Sequence, residues 1–385
     1  MRPTLEALQA KHGDALLLHY GPDDQPGLVI IDGGPTGVFR AVLASRLAGL
    51  AQERGGTLQV RLMMVSHIDD DHVQGILDLT EELAEAKKDQ RPPPLNLRVQ
   101  TLWHNTFDDL LGTEADALAA PLATAAQSAS AGTALPAGLR LDRPAAAVVA
   151  SVAQGRKLRD SARALGIALN SPVGALIEAP EGGQLSLKLG SGLGFTVLGP
   201  RAERVAALRA EWDEQLRKMR AARPDQAAAL AAAFADRSVF NLSSLIIMAE
   251  VEGARILLTG DARGDDILLG LERAGLLAGG ACHVDLLKVP HHGSQRNVTE
   301  EFFRQVTADH YVISADGRHG NPDLEALRMI LEARSSADYR LWLTNREDRL
   351  IEFFAAERGP GKRFDVVFRK DTDPSIAVAL GSARS

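Results

Sequence analysis

Ser66-His67-Ile68-Asp69-Asp70-Asp71-His72 follows the apolar run Val60–Val65 directly. The run predicts a strand, so two imidazoles and three carboxylates are placed where a strand leaves its sheet. Loops at the C-terminal ends of strands are where open α/β sheets carry their sites. Imidazole and carboxylate suit zinc, iron or manganese. In a tight turn His67 and Asp69 can face one centre while Asp71 and His72 face a second. Two metals about 3.5–4 Å apart can share a water. The same aspartates could also do no more than cap the helix expected over 74–88, which stops before Arg91-Pro92-Pro93-Pro94.

Outward from this stretch, Asp14–Tyr20 and Leu28–Ile31 read as strands separated by a Gly/Pro/Asp turn, and the second ends at Asp32-Gly33-Gly34. Helical periodicity occupies 38–52, and Leu97–Trp103 is a further strand. From 107 to 237 the chain turns Ala-rich, with helices expected over 143–165 and 201–235 and short strand-like runs at Gly174–Glu178, Leu185–Leu189 and Phe195–Leu198. Beyond 238, strands at Ser244–Ala249, Arg255–Leu258, Val284–Val289, His310–Ser314 and Tyr339–Leu343 alternate with helices near 263–275, 299–306 and 323–334. No internal repeat is visible. The alternation predicts a layered α/β protein with a largely helical insertion.

Composition narrows the class. The 385 residues are 45% apolar and 24% charged, enough to bury a sizeable core. No run approaches the roughly 20 apolar residues of a membrane span, and Met1–Lys11 lacks the apolar core of a secretory leader. One cysteine, Cys282, excludes an internal disulfide, so a reducing, cytoplasmic setting is expected. A net charge of −7 argues against a generally basic nucleic-acid coat.

Three more strand ends carry similar chemistry: Asp32-Gly33-Gly34, Thr259-Gly260-Asp261-Ala262, and Lys288-Val289-Pro290-His291-His292-Gly293-Ser294. Each taken singly also reads as a turn or a cap. Four strand ends that all donate His or Asp point to one centre, with Asp261 placed to bridge two metals.

With Gly13-Asp14-Ala15, Asn241-Leu-Ser-Ser-Leu245 and Ser314–Pro322 added, these segments make the chain resemble the metallo-β-lactamase-fold hydrolases. It is most similar to the nuclease-like domain of ComEC-type DNA-uptake proteins. The match runs in order over roughly 1–106 and 238–345. The resemblance implies an αββα sandwich formed by 1–106 and 238–385, with 107–237 as an insertion acting as a lid or a partner-docking arm. It departs from the broad HxHxDH pattern by placing Asp69 at the second histidine, a change the ComEC-like branch shares, and Gly75 stands where that branch usually repeats glycine. The third-motif histidine is assigned to His104, which follows a strand.

The implied ligands are His67, Asp69, Asp71, His72 and His104, with Asp261 bridging. One of His291 and His292 completes the set, and the other contacts substrate or protonates a leaving oxygen. The cofactor is two divalent ions, zinc or manganese, with magnesium as an alternative made live by the extra carboxylate. A water acidified by the metals is the expected nucleophile. Asp32 or Asp70 orients ligands, Lys288 and Ser294 can hold an anionic oxygen, and His319 and Asn321 lie in a loop resembling the family's substrate-side loop. The expected activity is a phosphodiesterase or nuclease acting on DNA or RNA. Hydrolysis of a small ester, lactone or thioester on the same metals is the alternative, and a non-catalytic interaction module a third. Within the insertion, Val205, Leu208, Trp212, Leu216 and Met219 form an apolar helical stripe beside a mixed charged face that includes Arg201, Arg204, Arg209 and Arg217.

Overall fold

The computed structural model describes residues 2–106, 109–110, 143–221, 243–334, 338–359 and 363–381. The chain is mixed α/β, with two mixed sheets. The first takes β1 (Thr4–Leu8), β2 (Leu16–Tyr20), β3 (Gly27–Ile31), β4 (Leu58–Met64), β5 (Leu97–Trp103) and β6 (Ala168–Leu169). The second takes β7 (Leu185–Gly190), β8 (Leu193–Gly199), β9 (Ile246–Val251), β10 (Ala254–Leu258), β11 (Cys282–Lys288), β12 (Val306–Ile313), β13 (Tyr339–Leu343) and β14 (Phe364–Phe368). The last strand, β15 (Ser375–Ala379), returns to the edge of the first sheet, giving the orders β15-β1-β2-β3-β4-β5-β6 and β14-β13-β12-β11-β10-β9-β8-β7.

Alternation along the strands fixes the layers. Ile256 and Leu258 face a core shared with Leu18, Val29, Ile31 and Leu62 of the other sheet. Leu257 and Leu287 point the opposite way and pack with Ile267, Phe302, Leu327 and Phe353 from helices. Ile30 and Met63 do the same on the far side of the first sheet, against Leu47, Ile76, Leu79 and Leu158. One apolar core therefore lies between the sheets, and one lies under helices on each outer face.

Both sheets repeat one arrangement. An antiparallel meander, β1-β2-β3 or β8-β9-β10, is followed by parallel strands joined through helices. Parallel strands end on a common edge. That edge gathers the ends of β3, β4 and β5 from one sheet and of β10, β11 and β12 from the other.

Most expected elements lie within a few residues of their predicted limits; of the helix expected over 201–235, Ala202–Ala221 is helical and 222–235 lies outside the described residues. The helix expected from about 74 begins earlier, at Asp70, and runs to Lys88. Gly174–Glu178 is not a strand: Asn105 Oδ1 accepts from the Ile177 amide at 2.9 Å and Asn105 Nδ2 donates to the Ile177 carbonyl at 2.7 Å. One amide side chain takes the place of a pairing strand there. Within 107–237, β6 extends the first sheet, and β7 and β8 extend the second, while helix Arg143–Leu165 packs on helix Asp70–Lys88. Arg201 and Arg204 pair with Asp266, and Arg209 donates to the Leu110 and Asp109 carbonyls. Val205 is buried; the side chains of Leu208, Trp212, Leu216 and Met219 lie outside the described residues. Among the described residues no helix is long and apolar enough to cross a membrane.

Helix Asp70–Lys88 is seated by glycine. A Cβ on Gly75 would fall 1.9 Å from the Gly33 carbonyl oxygen, and the Gly75 amide donates to the Gly34 carbonyl at 3.0 Å. The backbone of the β3 turn thus touches the helix backbone directly. Gly75→Ala is expected to lower stability by about 3 kcal/mol, the upper range for forced overpacking, measured as a shift of the chemical denaturation midpoint. Gly182→Ala makes no such clash, because nothing lies near it and its backbone is not left-handed.

Candidate metal centre

Four imidazoles approach one carboxylate at the shared edge. Asp261, 2% exposed, follows β10. Its Oδ1 lies 3.3 Å from His72 Nε2 and 3.5 Å from His292 Nε2. Its Oδ2 lies 3.5 Å from His291 Nε2 and 3.9 Å from His67 Nε2. His72 Nε2 and His292 Nε2 are 3.3 Å apart. Asp71 adds an oxygen 3.5 Å from His292 Nε2, and Asp69 one 3.4 Å from His67 Nε2.

Each ring is held through its other nitrogen. His72 Nδ1 donates to Asp32 Oδ2 at 2.9 Å. His292 Nδ1 donates to the Ser314 carbonyl at 3.0 Å. His291 Nδ1 donates to Asn297 Oδ1 at 2.8 Å. His67 Nδ1 donates to Ser66 Oγ at 3.1 Å, and that hydroxyl donates to Asp32 Oδ2 at 2.7 Å. With every Nδ1 occupied in this way, the Nε2 lone pairs are left to face Asp261, the arrangement that outer partners impose on metal-ligating histidines.

Backbone geometry achieves this at some cost. His291 and His292 have φ of 46° and 55°, and Asp32 has φ of 56°. Left-handed backbone is unfavourable for side chains with a Cβ, by roughly 1–2 kcal/mol each. At Asp32 it lets one carboxylate accept the Ser66 amide at 2.7 Å as well as the Ser66 hydroxyl and His72. At His291–His292 it turns two adjacent rings toward the same carboxylate.

Electrostatics favour positive charge at this spot. Asp14, Asp32 and Asp261 are each 2% exposed or less, Asp71 is partly buried beside them, and Lys288 is the ammonium among them. Burial opposes charge on Asp261, yet His292, His291 and His72 hold its pKa well below the carboxylate range. Asp71 is also lowered: burial opposes, and His72 and His292 outweigh it. Burial likewise opposes charge on His72, but Asp261, Asp32 and Asp71 hold its pKa well above the usual imidazole value. His292 is raised in the same way by Asp261 and Asp14. The carboxylates draw positive charge to this spot.

A metal ion fits these residues. His67 Nε2 and Asp261 Oδ1 are buried without a hydrogen-bond partner among the described residues, and such atoms call for a ligand or ion. The separations of 3.3–3.9 Å exceed the ~2.7–2.9 Å of charge-assisted hydrogen bonds. They suit donor atoms that each sit about 2 Å from one shared cation. His67, His72 and Asp261 form one group that could hold an ion, and Asp71, His72 and His292 another.

Other sequence candidates are placed differently. Asp69 is the N-cap of helix Asp70–Lys88 but makes no side-chain capping bond, its carboxylate turning to His67 instead. Asp70 Oδ1 accepts from Gln154 Nε2 at 2.8 Å, facing helix Arg143–Leu165. His104 is buried beside Gly155 and outside the four donor groups found among the described residues; burial pushes its pKa down to about 4. Lys288 is enclosed, pairing with Asp14 at 2.7 Å and donating to the Val289 carbonyl at 3.0 Å. Ser294 is buried. His319 is exposed and meets His12 edge to face at 5.1 Å between ring centroids, and the Asn321 carbonyl accepts from Arg349. The sequence reading gave no role to Asp14, Ser66, Asn297 or Ser314. Of these, Asp14 had a signal in the Gly13-Asp14 pair before an apolar run.

Asp32→Ala removes the acceptor for three donors at once. Divalent-cation affinity should fall about 10–100-fold, as for loss of an outer partner, in titration calorimetry with Zn²⁺ or Mn²⁺. Compared with known proteins, the chain matches no family model, and no curated protein matches it significantly.

Proposed function

We propose that the chain is a metal-dependent hydrolase of the phosphodiesterase or nuclease class, built on an αββα sandwich of the metallo-β-lactamase type. The observation that carries this reading is the convergence of imidazole Nε2 atoms on both oxygens of Asp261. His67 and His291 approach Oδ2, and His72 and His292 approach Oδ1; Asp69 stands beside His67, and Asp71 beside His72 and His292. This division supports two cation positions that share Asp261. The mixed imidazole and carboxylate set favours zinc or manganese over magnesium, which prefers oxygen and retains its waters. Two bound divalent cations would supply the charge that activates water and stabilises the leaving oxygen of a phosphodiester.

The chain's own residues set the rest. Asp69, Asp71 and His291 have side chains 34%, 25% and 29% exposed, whereas His67, His72 and His292 are 3% or less. Substrate therefore arrives on the side of the first three. His291 is the most exposed of the four rings and belongs to none of the tight donor groups. It is the residue to hand a proton to the leaving oxygen, from Nε2 of its doubly protonated form, with Nδ1–H held by Asn297. His292 is the ligand.

Chelator-treated protein should hydrolyse neither bis(p-nitrophenyl) phosphate nor nucleic acid, and Mn²⁺ or Zn²⁺ should restore turnover. Asp71→Ala, His72→Ala and Asp261→Ala are each expected to lose more than about a hundredfold in kcat/KM, beyond the loss of an outer partner. Unchanged turnover in these variants sinks the assignment. His291→Ala should keep cation binding while kcat falls about 10²–10⁴-fold, the usual contribution of general acid–base catalysis. The net charge of −7 favours a second reading, a small ester as substrate. Cleavage of the small diester without cleavage of single- or double-stranded DNA or RNA selects it. Full cation occupancy with no ester hydrolysed would leave a binding module.

A further inference from the structure

Asp14 lies in the turn between β1 and β2 and is 1% exposed. Its Oδ2 pairs with Lys288 Nζ at 2.7 Å and lies 4.0 Å from His72 Nδ1. Its Oδ1 has no hydrogen-bond partner among the described residues and stands 3.5 Å from His292 Nδ1. The neighbouring backbone ties this turn to both sheets. The Asp14 amide donates to the Asp71 carbonyl at 3.2 Å, and Ser314 Oγ donates to the Gly13 carbonyl at 2.6 Å. Ser314 is also the residue whose carbonyl takes the His292 Nδ1 proton.

We propose that Asp14, anchored by the enclosed ammonium of Lys288, is a positioning residue for His292. Asp32 accepts the His72 Nδ1 proton directly, whereas Asp14 stands as a charge beside His292 Nδ1, whose proton goes to the Ser314 carbonyl. Lys288 then acts behind the cluster as a fixed counter-charge, and not on substrate. The Lys288 ammonium 2.7 Å from Oδ2 pairs the buried carboxylate, and Oδ1 faces the Nδ1 edge of His292 at 3.5 Å. That carboxylate favours the ring with Nδ1 protonated and Nε2 directed at Asp261. The proposal rests on reading the cluster as a cation site.

Lys288→Met alone leaves a buried carboxylate unpaired and is expected to fold poorly. The informative variant is Asp14→Asn with Lys288→Met, which removes both charges at nearly constant volume. Zn²⁺ and Mn²⁺ binding to the full chain is measured by titration calorimetry in four proteins: wild type, the double variant, His292→Ala, and the triple variant. The double variant should bind about 10–100-fold more weakly than wild type, with the melting temperature of its cation-free form little changed. The triple variant should bind no more weakly than His292→Ala, because the effect of Asp14 passes through that ring. Lys288→Arg, which keeps the charge, should retain most of the affinity. Wild-type affinity in the double variant, or additive losses in the triple variant, makes the pair merely structural and overturns the proposal. A wild type that binds neither ion overturns the cation-site reading, and this proposal with it.

Discussion

Three aspartates are buried in one place with a single lysine, and a fourth borders them. Removing a charge from water costs several kcal/mol unless a partner returns it, so the surroundings must supply positive charge. The fold meets this demand with imidazoles from both sheets, aimed by their Nδ1 partners so that Nε2 faces inward. Neutral rings bring no charge of their own, so they would balance the cluster with a cation among them. Without one they take up protons, which is why His72 and His292 are pushed up while Asp71 and Asp261 are pushed down. A metal ion held there would compete with protons for the same lone pairs, so acid conditions would oppose its binding.

The repeated topology makes the convergence possible. In each half an antiparallel meander ends on an aspartate-bearing turn, Asp32 after β3 and Asp261 after β10. The next parallel strand ends on histidine-bearing backbone: Ser66-His67 after β4, and His291-His292 after β11. Packing two such sheets through the Ile31–Leu258 core sets the two edges beside each other. Neither half is complete alone. Asp32 serves only first-half residues, whereas Asp261 receives rings from both.

Much of this was legible in the sequence, for a physical reason. Strand ends carrying His and Asp at β4, β10 and β11 stand out because apolar alternation stops where the site begins. Tyr339–Leu343, Leu97–Trp103 and helix Arg143–Leu165 have the predicted limits. β1, β6, β14, β15 and helix Asp348–Glu357 are not among the expected elements. β15 shows why: with burial alternating along Ser375–Ala379, it is a short edge strand that exists only through pairing with β1, hundreds of residues away. Its local pattern carries little. The same distance separates Asp14 from its partners Lys288 and His292 in the other half, so the local pattern shows neither the role of Asp14 nor the enclosure of Lys288. His104 follows its strand as the pattern suggested, but Asn170 holds the loop by accepting from the His104 amide and donating back to its carbonyl. The ring settles under helix Arg143–Leu165, a neighbour that only the folded chain reveals.

Strain locates what packing alone leaves open. His291, His292 and Gly293 are consecutive residues with positive φ, and glycine is the only one of the three for which that is easy. A turn selected for stability alone would place glycine or asparagine at the first two positions. The cost of two left-handed histidines persists because surrounding bonds enforce it: the His291 amide donates to the Gly260 carbonyl, the Ser294 amide to the His291 carbonyl, and Asn297 Nδ2 to the Asp261 carbonyl. Those bonds join the β11 turn to the β10 turn, so the strained rings and their carboxylate are fixed as one unit. Backbone strain held by this many contacts is found where side-chain direction matters more than local stability. Here the direction it secures is that of two imidazoles toward Asp261, the geometry the proposed chemistry requires.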